Sequence, residues 1–194
     1  LGVSPAKVHR LIAHAQKAGF VKFQVDGRPM ECLQLEKELT EHFGLTNCII
    51  APDLGGGDDD SALRAVAVSA AQFLSGMLGG SNVTRLGVGM GRTLTAAVEA
   101  LPKVARTDLE IMSICGSLTR TLAANPYDIV QKMQERTGGI GYYLPVPYFA
   151  ENQDEKAMFL TQRSVQDLMD RARQSDAFLI GIGSVENEGH LVQR

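Results

Sequence analysis

The sequence predicts an α/β protein: a mainly parallel sheet covered by helices, preceded by a small helix-and-hairpin unit. Two observations carry this. From Cys48 onward, short strand-like apolar runs alternate with helical ones, the pattern of βαβ crossovers. Glycine-rich turns close several of the strand-like runs, where an open parallel sheet collects its ligands.

Ser4-Pro5 opens the first helix, with Ser as N-cap and Pro at the first helical position. Val8, Leu11, Ile12 and Ala15 recur at i, i+3, i+4 and i+7 as one apolar stripe, and Gly19 stops the helix. Phe20, Val21, Phe23 and Val25 predict a short strand turned at Asp26-Gly27. A short helix followed by a hairpin is how a winged helix-turn-helix ends. A second helix is expected over residues 30 to 43, with Gly44 as C-cap. Its Leu33, Leu35, Leu39 and Phe43 suit packing on a partner chain or on its own domain equally well.

The sheet region is read as strands at Cys48–Ala51, Thr84–Val88, Leu109–Ile114, Tyr142–Val146 and Ala177–Ile182. Helices are expected at Ser61–Leu78, Thr93–Leu101, from a cap at Asn125-Pro126 to Gly138-Gly139, and near Ser164–Arg173. The organisation expected is a partial DNA-binding module over 1–28, a linker helix over 29–45, and a ligand-sensing domain over 46–194 that is C-terminally incomplete.

Composition narrows the function. Apolar residues are 44% and charged residues 21%, an ordinary globular balance. No apolar run reads as long enough to span a membrane, and the N-terminus lacks a signal-peptide layout. Cys32, Cys48 and Cys115 are scattered, without CxxC spacing, which suits reduced buried thiols and a cytoplasmic protein. Residues 1–28 carry five bases against Asp26 alone, a net +4, while the rest holds 14 bases and 21 acids, a net −7. A basic head on an acidic body fits a nucleic-acid contact confined to the N-terminus.

Candidate chemistry gathers at the turns. Gly89-Met90-Gly91-Arg92-Thr93 follows one strand, Cys115-Gly116-Ser117 another, and Gly181, Gly183 and Ser184 the last. At Gly91-Arg92-Thr93 a helix begins, so backbone N–H groups at a positive dipole end are joined by a hydroxyl and a guanidinium. That is a phosphate cradle. A P-loop is excluded because no GxxxxGK[ST] occurs. Gly87-x-Gly89-x-Gly91 has the wrong spacing for a dinucleotide fingerprint, and Glu110 opens its strand instead of closing it. No cofactor is expected. Asp58-Asp59-Asp60 complements a helix dipole, and Glu186, Glu188 and His190 read as loop residues, so no metal site is expected. Neither His42 nor His190 stands beside a strand end with a carboxylate, and Lys103, Lys132 and Lys156 read as surface lysines. No catalytic residue is therefore assigned.

These residues resemble the SorC family of bacterial regulators, relatives of the deoxyribonucleoside-type (DeoR) repressors. The resemblance rests on Ser4-Pro5-Ala6-Lys7-Val8-His9-Arg10-Leu11-Ile12, Ala18-Gly19-Phe20-Val21, Leu35-Glu36-x-x-Leu39, Gly87-x-Gly89-x-Gly91-Arg92-Thr93-Leu94, Tyr142-Tyr143-Leu144-Pro145-Val146-Pro147 and Gly181-Ile182-Gly183-Ser184. It implies a winged helix-turn-helix followed by a Rossmann-like sensor similar to sugar-phosphate isomerases and deaminases. It also implies operator DNA and a phosphorylated sugar or polyol as partners, and a homo-oligomer, dimer or tetramer. No membrane partner is expected. Ser4, Lys7, His9 and Arg10 match the recognition helix; Gly89, Gly91, Arg92 and Thr93 match the effector's phosphate loop, and Gly116 and Ser117 a second edge of the pocket. Two parts of the family pattern are missing, the first half of the helix-turn-helix and the later part of the sensor. Met90 stands where the family has an aromatic. The rival expectation is an isomerase- or deaminase-like enzyme, which would need a positioned carboxylate or His as base.

Overall fold

The structure, a computed structural model, describes residues 4–17, 29–53, 59–80, 82–118 and 128–183. Helix α1 (Pro5–Lys17) begins where Ser4-Pro5 predicts, and the Ser4 carbonyl accepts from the Lys7 and Val8 N–H groups at 3.0 and 3.1 Å. Helix α2 (Met30–Phe43) ends at Gly44 in the left-handed conformation, as expected of its C-cap. The hairpin expected at Phe20–Gly27 lies outside the described residues.

The remaining elements are α3 (Asp59–Gly79), β1 (Arg85–Val88), α4 (Arg92–Ala100), β2 (Glu110–Leu118), α5 (Ile129–Thr137), β3 (Ile140–Pro147), α6 (Gln153–Thr161), α7 (Arg163–Arg173) and β4 (Ala177–Leu179). All strand pairs are parallel, in the order β3-β2-β1-β4. The chain thus builds outward from β1 through β2 to β3, then crosses back to place β4 on the other side of β1.

Alternation along the strands divides the core. Leu86, Val88 and Ile111 turn to one face and pack with Ala71, Leu74 and Leu78 of α3, Leu94 and Val98 of α4, and Ile129, Val130 and Met133 of α5. Each large side chain fully buried there contributes roughly 1.5–3 kcal/mol relative to exposure. Met112 and Tyr142 turn to the opposite face, which α7 covers with Val165 and Leu168. Arg171 of α7 lies 4.7 Å from the Tyr142 ring centroid and 3.8 Å from Glu110.

Arg106 ties the bottom of this layer together. Its guanidinium donates to the carbonyls of Leu78, Gly80 and Val83 at 2.6 Å each and pairs with Asp108 at 2.9 Å. The chain leaving α3 is thereby fastened before it enters β1. The hydrogen-bonded guanidinium holds the exposed Asp108 carboxyl below its ordinary pKa.

The structure corrects several expectations. Cys48–Ala51 is not a strand: it runs beside α3 with no ladder partner among the described residues. Helix α6 occurs where none was read, capped by Asn152, whose side chain accepts from the Glu155 N–H at 2.8 Å. Finally, α3 has the 21 residues and the composition to cross a bilayer, contrary to the reading that no segment does. Scattered Ser, Gln and Gly hide its apolar total. Its buried Ala71, Leu74 and Leu78 make it a core helix of the domain. The helix expected from Asn125-Pro126 begins instead after Asp128, whose side chain accepts from Gln131 N–H at 3.2 Å; residues 119–127 lie outside the description.

Candidate functional site

With the order β3-β2-β1-β4, the crossover direction reverses between β1 and β4. Such a switch point lies at the carboxyl ends of the two strands, where an open parallel sheet forms its ligand crevice. The loop after β1 holds Gly89, Met90 and Gly91; the chain after β4 holds Ile180 and Gly181. The Gly89 N–H donates to the Leu179 carbonyl at 2.9 Å, joining the two strand ends. A Cβ on Gly181 would lie 3.5 Å from Leu94 and 3.7 Å from the Met90 carbonyl, so the two loops are in contact.

Gly91 is the N-cap of α4, with φ 138° and ψ 163°. That region of backbone space belongs to glycine alone. A Cβ there would meet nothing within 4 Å, so glycine is required by the turn rather than by crowding. The Gly91 carbonyl accepts from Thr95 N–H at 3.0 Å, which starts the helix. The N–H groups of Arg92, Thr93 and Leu94 precede the first intrahelical bond, and Gly91 as N-cap has no side chain to cap them. Arg92 and Thr93 are exposed beside them while Leu94 is buried, so the polar pair faces outward and the helix is anchored from below.

The other assigned residues divide. Gly116 pairs with Leu144 of β3, and a Cβ on it would lie 2.2 Å from the Pro147 carbonyl oxygen. Its need for glycine comes from the β2–β3 approach, on the side of β2 away from β1. Ser117 lies in β2, and its side chain is outside the description. Ser113, which the sequence reading passed over, is in register with Val88 at the end of β1; its hydroxyl donates to the Cys115 carbonyl at 2.8 Å. A serine inside the run Ile111–Ile114 was the available signal. Burial pushes the Cys115 thiol above its ordinary pKa, so it is held protonated. Tyr143 is pushed up to about 12 by burial and by Asp128.

Ser4 precedes α1 and Lys7, His9 and Arg10 lie on it, and all four are exposed. The apolar stripe is also open, with Leu11 54% and Ile12 48% exposed. Ser184, Glu186, Glu188 and His190 fall outside the described residues, as does Asp58. Among the described residues no three His, Cys, Asp or Glu side chains are grouped to hold a metal.

An open parallel sheet with an uncapped helix N-terminus at its switch point defines a ligand-binding domain of the doubly wound class. Residues 27–194 match the family described as "Putative sugar-binding domain", and the chain belongs to that family. It is 38% identical over 192 residues to the erythritol catabolism regulatory protein EryD of Brucella abortus (strain 2308), a match covering 99% of this chain and 60% of that protein. The chain therefore spans about 60% of that relative's length. Its fold is similar to the full-length sorbitol operon regulator SorC from Klebsiella pneumoniae, with a TM-score of 0.74 at 19% identity, over 96% of this chain and 62% of that one. It is similar too to a DeoR family transcriptional regulator from Listeria monocytogenes, with a TM-score of 0.72 at 23% identity, over 83% and 62% of the two chains. The resemblance to the SorC and DeoR regulators drawn from the motifs thus extends to the fold.

Proposed function

We propose that this chain belongs to a cytoplasmic transcriptional regulator whose operator binding is controlled by a phosphorylated sugar or polyol held between β1 and β4. One observation carries the reading: a helix N-terminus, left uncapped by a glycine-only turn, opens onto the switch point with Arg92 and Thr93 exposed beside it. Three N–H groups, a dipole, a guanidinium and a hydroxyl together suit a phosphate better than a neutral sugar. The organisation proposed is a DNA-binding module over 1–28, a linker helix over 29–45 and the sensor from 46 onward, assembled as a dimer or tetramer. Lys7, His9 and Arg10 would meet the duplex from positions on α1 outside its apolar stripe. The relative's name points to a four-carbon polyol as the class to try first.

The site favours sensing over turnover. Isomerase or deaminase chemistry needs a carboxylate or histidine in the crevice. Among the described residues of the two facing loops, Gly89 to Leu94 and Ile180 to Gly183, none is a carboxylate or a histidine.

The test is a thermal-shift series on the full chain with erythritol 4-phosphate, sorbitol 6-phosphate, erythritol and inorganic phosphate. A ligand at 100 times its Kd adds about 2.7 kcal/mol, or roughly 5–10 °C for a domain of this size. The expected result is a shift with a polyol phosphate that exceeds both the free polyol and inorganic phosphate. An equal shift with erythritol would overturn the phosphate cradle, and turnover of the bound compound would overturn the sensing role.

A further inference from the structure

The linker helix α2 packs broadly on no other element among the described residues. Its attachment is instead a short fold-back. Gly44 turns the chain in the left-handed conformation, and the Leu45 N–H donates to the Thr40 carbonyl at 3.0 Å. The returning segment then runs back along the helix until Glu36 Oε1 accepts the Ile50 N–H at 2.9 Å, in a partly buried bond. The residues around Ile50 have strand-like composition but no ladder partner among the described residues, so a side chain of α2 satisfies the amide that a sheet would otherwise take.

The same segment faces the sensor. Asn47, Ile49 and Ala51 form one wall of a groove of about 280 Å³, and Val66, Ser69, Ala70 and Phe73 of α3 form the other. The segment thus stands beside α3 with an open groove between them. Helix α3 runs down into β1, so its N-terminus lies at the carboxyl end of the sheet, and it packs along α4, whose first turn is the proposed cradle. The parts lie in sequence: cradle, α4, α3, the groove, segment 47–51, Ile50 N–H, Glu36, α2.

We infer that Glu36 is a positioning residue that couples the sensor to the linker helix, so that a shift of segment 47–51 along α3 turns α2 and whatever α2 carries. Resting on the proposed sensing function, this adds its route. Small sliding of packed elements is a known form of such transmission, and a charge-assisted bond to a backbone amide is strong enough to make α2 follow the segment.

The full chain is tested as wild type, Glu36→Ala and Glu36→Gln. Alanine keeps the helix but removes the acceptor; glutamine keeps a carbonyl oxygen in its place. Erythritol 4-phosphate affinity is measured by calorimetry without DNA. Affinity for a duplex recovered by in vitro selection on the wild-type chain is then measured with and without that compound. Coupling of the usual size, about 5–150-fold in wild type, should fall to within about twofold of unity in Glu36→Ala, while Glu36→Gln keeps most of it. Effector affinity should stay within about twofold in both. Amide exchange on the unliganded chain supplies a second reading: Ile50 should exchange faster in Glu36→Ala but not in Glu36→Gln. Full coupling in Glu36→Ala, equal loss in Glu36→Gln, or an unchanged Ile50 amide would each overturn the inference. If wild type shows no response to the compound, the effector reading is what fails, and the Ile50 amide still decides whether Glu36 holds the segment.

Discussion

Gly91 and Thr93 do different work in the same turn, and substitutions separate them. Gly91 supplies a backbone conformation, since its φ of 138° excludes side-chain-bearing residues while the space around it is open. Gly91→Ala should therefore cost roughly 1–3 kcal/mol through backbone strain, with the loss divided between fold stability and ligand affinity. Thr93 supplies only a hydroxyl. Thr93→Val keeps the shape and should leave the unliganded melting temperature unchanged, because the side chain is exposed. The lost bond to a charged group should cost about 1.5–3 kcal/mol of polyol-phosphate affinity. Calorimetry on both variants checks the division, and a Thr93→Val chain that binds like wild type moves the phosphate elsewhere. The turn at Gly91 was legible because a glycine before a helix start is a local signal. Gly116 shows the limit of that reasoning: it looks the same in sequence, yet its glycine is set by the Pro147 carbonyl, which the register of β2 and β3 brings close.

Elements were legible where their residues carry a period or a cap, and illegible where partners decide. Helix α6 buries none of its residues, so the apolar run Ala157–Leu160 shows no helical stripe. Its signal lay in Asn152 and Glu155, where each side chain accepts from the other residue's region of backbone: Glu155 N–H to Asn152, and Glu151 N–H to Glu155. Cys48–Ala51 erred the other way, because Cys-Ile-Ile-Ala has strand composition but a strand needs a neighbour. The seat of α3 likewise depends on one distant residue. Arg106 satisfies the carbonyls of Leu78, Gly80 and Val83, and Arg106→Ala would leave all three without that donor. A loss of about 3 kcal/mol is expected in chemical denaturation. Arg106→Lys should recover only part of it, since an ammonium cannot reproduce the planar fork. Full stability in Arg106→Ala would show that α3 is held by its apolar face alone.

At the scale of the molecule, strand order and charge decide what the parts can do together. The sequence marks Gly89–Gly91, Cys115–Ser117 and Gly181–Gly183 alike as glycine-bearing turns, though the middle one lies inside β2. Only the order β3-β2-β1-β4, a product of which crossover follows which, joins the first and last at one crevice. Charge is different, being readable directly: a net +4 over residues 1–28 sits against a net −7 over the rest. The acidic body would be repelled by a duplex, so DNA should be met through the basic head and little else. Lys7 and Arg10 lie exposed on α1, off the stripe of Val8, Leu11 and Ile12. Replacing either by Ala should change fold stability by no more than about 0.5 kcal/mol. If the lost contact is to phosphate, affinity should fall for all duplexes alike and the salt slope should flatten by about one. If it is to a base edge, the cost should be about 1–3 kcal/mol and confined to the selected duplex. Fluorescence anisotropy at two salt concentrations, on selected and scrambled duplexes, distinguishes these outcomes. Erythritol 4-phosphate affinity without DNA should be unchanged in both variants, because the proposed crevice is built from the loops after β1 and β4 and not from α1. Wild-type binding in both variants at both salt concentrations would remove α1 as the element that reads DNA.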